Sequence, residues 1–388
     1  MLQLVKQGRS ATCLHPSLSA TLAVVVVLMM AGVRAQATPP AKPALLVGMS
    51  APLTGARAVL GSEMAQGVRL GLEHVNKRGG VDGRRLELEL RDDADNAQTT
   101  LANTRKFLDD GVLALTAYAG GPGTEGIVNL LAATQTPLIG AATGAERIQH
   151  PARGWVFNLR AGTADELGGI VAQLDSQGIE KVGVIAETGG LGDAALESAR
   201  IELARLAMRP VAVFKTGSNA TDVAKAMAGM CATKPQAIIL AIDSRFVMAA
   251  IQGRPEDCGS RFVLLSETAA SLMSGPSRVA LKGVIVSQVV PSPSNFSHPL
   301  VAAFQEDSAG MSTMPRTYPA LEGYVYGRAV AEAALRCSKS PTRRCVVETL
   351  QGRGFDLPGW KVRYGNDDTG RARFVELSIV GADGRYLR

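Results

Sequence analysis

Aromatic residues make up only 4% of the 388-residue chain and no basic tract is interleaved with them, so the stacking platforms and phosphate stripe of a nucleic-acid binder are missing. There is no CxxC, and His74, His150 and His298 stand apart from one another, which leaves no metal-ligand spacing. Nucleophile and phosphate-loop signatures of the types GxSxG, HExxH and GxxxxGK[ST] are absent. The paired acids Asp92-Asp93 and Asp367-Asp368 fall in turn-rich stretches, where solvated loop carboxylates are commoner than catalytic dyads. No activated group for catalysis is located, so an enzyme is not expected and no cofactor is called for.

Long apolar runs are also lacking. The one near the start, Leu22 to Ala31, is shorter than the ~20 residues a bilayer crossing needs. Lys6 and Arg9 precede it, while Ala35-Gln36-Ala37 and then Pro39 and Pro40 follow it, so residues 1–37 read as a cleavable secretory signal. Cys13 lies ahead of the apolar core and does not mark a lipid-attachment site. Loss of this segment removes Lys6, Arg9 and Arg34 and lowers the formal charge from +6 to +3.

Cys231, Cys258, Cys337 and Cys345 remain, an even number that suggests two disulfides in an oxidising compartment. Cys337 and Cys345 flank the Ser338-Lys339-Ser340-Pro341 turn, where a bridge would staple a helical hairpin. Cys231 and Cys258 end two successive predicted helices.

What is present is a rhythm. Leu45 to Met49 is a buried strand, and Met64, Val68, Leu72 and Val75 then recur at helical spacing behind a possible N-cap at Ser62. Leu86, Leu88 and Leu90 alternate with Glu87 and Glu89, and a helix from about Thr99 leads to a strand from Val112 to Ala117. A second series opens after Phe157, with a helix carrying Leu167, Ile170 and Leu174 and strands near 182–186, 211–214, 237–242 and 262–265. This alternation predicts an α/β chain of two lobes, each a doubly wound parallel sheet. Pro291-Ser292-Pro293-Ser294 reads as a stiff connector where the chain crosses back toward the first lobe.

Open α/β sheets gather ligands at the carboxyl ends of their strands. Thr54 follows the first strand there. The segment Tyr118 to Thr124 joins a strand to a helix, so its amides, with Gly121 and Gly123, form a candidate anion cradle; the alternative is a plain turn with an N-cap at Thr124. Ala142-Thr143-Gly144 repeats the pattern after the next strand. Arg160 and Arg245 are candidate partners for a ligand carboxylate from the other lobe.

Several stretches in shared order carry a resemblance: Val47 to Gly55, Gly67 to Gly83 (GVRLGLEHVNKRGGVDG), Pro137-Leu138-Ile139-Gly140 with Thr143 to Glu146, Ser287 to Pro291, Leu321-Glu322-Gly323-Tyr324 and Arg373 to Leu377. Over nearly all of Leu45 to Arg388 the chain resembles the branched-chain amino-acid-type periplasmic binding proteins of ABC transporters. The resemblance implies a type I fold with three hinge crossings that closes on a small-molecule ligand, with residues 44–159 plus 293–355 as the N-terminal lobe and 160–292 plus 356–388 as the C-terminal lobe. It also implies a periplasmic location and an ABC permease in the inner membrane as partner, with a monomer expected. A ligand sensor facing a membrane receptor would use the same fold.

The family's ligand loops correspond to Tyr118–Thr124 and Ala142–Ala145, while Arg160, Ser266 and Glu267 take second-lobe contact positions, Glu267 suiting a ligand ammonium. Gly120-Gly121-Pro122-Gly123 stands where relatives carry Gly-Thr-Pro-Thr. Leu60, Thr163 and Leu191 stand where aromatics commonly cover the ligand. Amino-acid specificity therefore does not transfer with the fold.

Overall fold

The computed structural model describes residues 42–149, 154–273, 276–337, 339, 341–364 and 373–387. The expected signal and Cys13 lie outside the described residues, as does the Asp367-Asp368 turn. No helix among the described residues is long and apolar enough to cross a membrane.

The first series runs β1 (Leu45–Ala51), α1 (Ala58–Asn76), β2 (Leu86–Asp92), α2 (Ala97–Asp109), β3 (Ala114–Ala119), α3 (Gly121–Thr134), β4 (Leu138–Ala142), the short α4 (Glu146–Gln149) and β5 (Val156–Phe157). Its strands form a parallel sheet in the order β2-β1-β3-β4-β5. The second runs α5 (Thr163–Ser176), β6 (Val182–Glu187), α6 (Gly190–Arg205), β7 (Ala212–Thr216), α7 (Ala220–Ala232), β8 (Ala237–Ala241), α8 (Ser244–Gln252), β9 (Arg261–Leu264), α9 (Ser266–Met273) and β10 (Ile285–Gln288). Then follow α10 (Pro299–Asp307), α11 (Tyr318–Arg336), α12 (Arg343–Arg353), the hairpin β11 (Phe355–Leu357) and β12 (Trp360–Val362), and finally β13 (Glu376–Val380) and β14 (Tyr386–Leu387).

The second sheet has the order β14-β13-β10-β9-β8-β6-β7. It is parallel through β10, and β13 and β14 extend it with an antiparallel edge. Alternate residues feed its two faces: Ile238 and Leu240 of β8 enter one core, and Ala237, Ile239 and Ala241 the other. Such two-sided burial requires helices above and below, which the βα order supplies. In the first lobe Val47 and Met49 face the core shared with α1 and α11, while Leu115 and Tyr118 face α2 and α3. Leu357, Trp360 and Val362 of the hairpin also join that first core, beyond the boundary expected at residue 355.

Helix starts follow local chemistry. Asn96 accepts from the amides of Gln98 and Thr99 at 2.9 and 3.0 Å, and Thr342 accepts from Cys345 N at 3.2 Å. Two expected starts move. Helix α1 begins at Ala58, four positions before the expected cap Ser62, and α3 begins at Gly121, which puts Thr124 inside its first turn. Both cysteine pairs are bonded, Cys231 with Cys258 and Cys337 with Cys345. Cys258 lies past the end of α8, not within it.

Helices α1 and α11 pack main chain to main chain. A Cβ added at Gly67 would lie 2.0 Å from Ala320 O, and one at Gly323 would lie 2.1 Å from Met64 O. Gly71 and Gly327 are equally close, 2.6 Å from Arg328 N and 2.2 Å from Val68 O. Only glycine permits this approach. It brings Met64 of α1 and Glu322 of α11 to one wall of the cleft between the lobes.

Candidate functional site

Ala142 at the end of β4 and Ser266 and Glu267 at the start of α9 come from different lobes and line one cavity. Arg160 sits between β5 and α5, where the chain passes from one sheet to the other, and is 2% exposed. A fully buried arginine needs partners, and it has them. Nη2 lies 3.1 Å from Glu166 Oε1 and 2.5 Å from Ser266 Oγ, Nη1 lies 3.2 Å from Glu322 Oε1, and Nε donates to Ala161 O at 3.3 Å.

The acids are held in turn. Glu166 Oε2 accepts from Ser266 N at 2.8 Å and from Ser287 Oγ at 2.5 Å. The Tyr326 hydroxyl reaches both Glu322 and the Ala141 carbonyl. Burial pushes the Glu166 carboxyl above the ordinary carboxylate range, against the pull of Arg160, Ser287 and Ser266. Burial also disfavours the Arg160 charge, but Glu322 and Glu166 outweigh it and hold the guanidinium above its usual value. Gly140 leaves room for the Tyr326 ring, since a Cβ there would stand 2.3 Å from Tyr326 Cδ1.

Glu267 closes the other side. Its Oε2 accepts from Thr143 Oγ1 at 3.0 Å and from Gly144 N at 3.2 Å, so a second-lobe carboxylate rests on the first-lobe loop. Thr163 backs that loop, its hydroxyl and amide both donating to Gly144 O, at 2.8 and 2.9 Å. The cavity left between the lobes is about 20 Å³. That is room for roughly one water, whereas ligand pockets usually hold ~300 Å³ or more, so a solute enters only if the lobes part.

Of the candidate residues, Ala142, Arg160, Ser266 and Glu267 line the cleft, and Thr143 and Gly144 border it through their hydrogen bonds to Glu267. Others do not. Tyr118 is fully buried in the core with its hydroxyl 3.0 Å from Thr104 Oγ1, because the left-handed backbone at Ala117, φ +55°, interrupts the alternation of β3 and puts Tyr118 on the same face as Leu115. Thr54 is exposed and donates to Asp92 Oδ2 at 2.6 Å. Thr124 donates to Gly120 O at 2.8 Å within its own helix. Gly123 lies against Thr100, and Gly121 borders Thr143 without lining the cavity. Arg245 pairs with Asp243 at 3.0 Å on the surface instead of meeting the cleft. The Leu191 side chain lies outside the described residues.

Sequence reasoning missed Glu166, Gln288, Tyr318 and Glu322. Gln288, Tyr318 and Glu322 line the cavity, and Arg57 joins them with its guanidinium on Asp95 Oδ1 at 2.8 Å and Ser271 Oγ at 3.2 Å. Glu322 is an acid within a helix stretch, Pro319 to Ala331, that the structure buries throughout, a position that demands a buried partner, and local sequence carries no signal of it.

The chain is similar to known proteins over stretches and as a whole. Over 83 residues it is 33% identical to a Leu/Ile/Val-binding protein of Rhizobium johnstonii, covering 21% of this chain and 22% of that one. Over 130 residues it is 25% identical to Leu/Ile/Val-binding protein homolog 1 of Brucella abortus, 33% of this chain and 34% of the relative. The aligned stretches therefore span at most about a third of those relatives' length. A solved substrate-binding periplasmic protein from Ralstonia solanacearum shares 27% identity at a TM-score of 0.76, over 88% of this chain and 99% of its own. A possible leucine/isoleucine/valine-binding protein from Rhodopirellula baltica, 24% identical with a TM-score of 0.79 over 91% of this chain and 98% of its own, shares the fold. With its family model matched across residues 45–375, the chain belongs to the periplasmic binding protein family.

Proposed function

We propose that this chain is the solute-binding component of an ABC transporter, capturing an amino acid or a related small carboxylate or amide between its lobes in the periplasm and presenting the closed form to an inner-membrane permease. The observation that carries this reading is the convergence of Thr143 and Gly144 from one lobe with Ser266 and Glu267 from the other on a single cleft. Ligand contacts split across two lobes make closure the bound state, because a ligand that touches both favours the conformation in which both are near. Family membership supports the transport role. Two hinge crossings in this reading lie near Arg160 and near Pro291.

A thermal-shift screen of the purified chain against amino acids, small carboxylates, amides and amines tests it. A ligand at a hundred times its dissociation constant adds about 2.7 kcal/mol of stability and raises Tm visibly. A shift with one class, abolished by Thr143→Val, is the expected result. A folded protein that responds to nothing on a broad panel overturns the reading.

A further inference from the structure

We propose that Glu267 is an internal stand-in for the acidic group of a solute: it closes the cleft on the protein itself, so that the chain shuts without cargo and a carboxylic solute binds by displacing it. The proposal rests on the solute-binding reading above and adds a competitor at that same site.

Helix α9 carries the contact. Glu267, Ala270 and Ser271 stand at i, i+3 and i+4 and so share one face. That face meets the first lobe at three points. Glu267 Oε2 accepts from Thr143 Oγ1 at 3.0 Å and from Gly144 N at 3.2 Å. Ala270 packs against the first-lobe core. Ser271 Oγ accepts from Arg57 Nε at 3.2 Å, and Arg57 is fixed to its own lobe through Asp95 at 2.8 Å.

The two donors that Glu267 takes, a hydroxyl and a backbone N–H at the carboxyl end of a strand, are those a free carboxylate would take. With Glu267 on them the cleft keeps about 20 Å³, too little for any carboxylic solute. Solute and Glu267 therefore cannot both hold Thr143 and Gly144 in this closed form. Parting of the lobes withdraws α9 and hands the donors to the solute. The balance between open and closed forms is then set first by the chain's own contacts and only afterwards by cargo. With about nine in ten solute-free molecules shut, apparent affinity falls about tenfold below the intrinsic value. Closure by itself does not report occupancy.

Small-angle X-ray scattering tests this on the purified chain, unfolded in guanidinium with its disulfides intact, dialysed, refolded and shown free of solute by native mass spectrometry. The expected result is a wild-type curve that matches the closed structure and a larger radius of gyration for Glu267→Ala, with no change for Glu256→Ala, an exposed acid of the same lobe. Thr143→Val removes a donor from the other side of the contact and should expand the chain in the same direction, which keeps the test alive if Glu267→Ala is not folded by circular dichroism. A wild type more expanded than the closed structure overturns the proposal, and so do folded variants that scatter like a closed wild type. The thermal-shift panel decides the transport reading separately, since it reads solute binding and not the shape of the solute-free chain.

Discussion

Arg160 and Glu322, 162 positions apart in sequence, meet at 3.2 Å inside the cleft. Both are nearly solvent-free, with side chains 3% and 10% exposed, but Arg160 also holds Glu166, so the arginine is the member whose loss strands a charge. Arg160→Met strands Glu322 and Glu166 together and is expected to cost about 3–5 kcal/mol, read from urea unfolding. Glu322→Gln still accepts from Arg160 and Tyr326 and is expected to cost less, about 1–2 kcal/mol. Equal and small effects from the two would show that the network contributes nothing.

Asp93 gives a pH signature. It is held by Ser50 Oγ at 2.9 Å and Thr100 Oγ1 at 3.3 Å, yet burial wins and raises its carboxyl above the ordinary 3.8. A carboxyl raised in the folded state binds its proton more tightly there than in the unfolded chain. Its contribution to stability is therefore largest below the unfolded value near 3.8 and declines as pH rises through the folded value. Asp93→Asn lacks that decline. The difference in Tm between wild type and variant, followed from pH 3.5 to 7, should favour the variant progressively as pH rises, apart from a constant offset for altered hydrogen bonds.

The two glycines that stand where relatives carry hydroxyls are not equivalent. A Cβ at Gly121 meets Ala145 Cβ at 3.5 Å and Thr143 Oγ1 at 3.6 Å, ordinary contacts, whereas one at Gly123 meets Thr100 Oγ1 at 2.9 Å. Gly121→Ser should change stability by less than ~0.5 kcal/mol and place a hydroxyl beside Thr143. Gly123→Ser overpacks and should cost about 1–3 kcal/mol. Chemical denaturation of both variants checks the contrast.

The disulfides close loops of different length. Cys231 and Cys258 are 27 positions apart, Cys337 and Cys345 only 8. Chain entropy assigns about 3.5 kcal/mol to the first and about 2.5 kcal/mol to the second. Double Cys→Ser variants should rank in that order by Tm, and a reversed order would mean that native packing around the short loop outweighs entropy.

The layout was legible in the sequence because strand and helix leave different periodicities: Leu86-Glu87-Leu88-Glu89-Leu90 could only be a half-exposed strand, and it became β2. Thr143, Glu267 and Arg160 were legible because strand ends carry ligands in α/β sheets and the family supplied the register. What escaped depends on tertiary pairing. Tyr118 lies on a strand end like Ala142, but its side chain faces the opposite side of the sheet. Glu166 and Glu322 acquire meaning only once Arg160 is placed between them, and local sequence does not record that meeting. The start of α1 was misplaced because Ser62 resembles a cap, whereas the turn at Gly55, with φ +78°, lets the helix begin earlier.

The glycine-lined contact of α1 with α11 has a mechanical consequence. Two helices whose backbones touch have no side-chain slack between them, so neither can slide or roll without collision. Met64 and Glu322 therefore travel together as one prefabricated wall, and in the proposed closure the motion that admits a solute is borne by the chain between the lobes. The first lobe acts as an anvil, and adaptation to cargo falls to the side that swings.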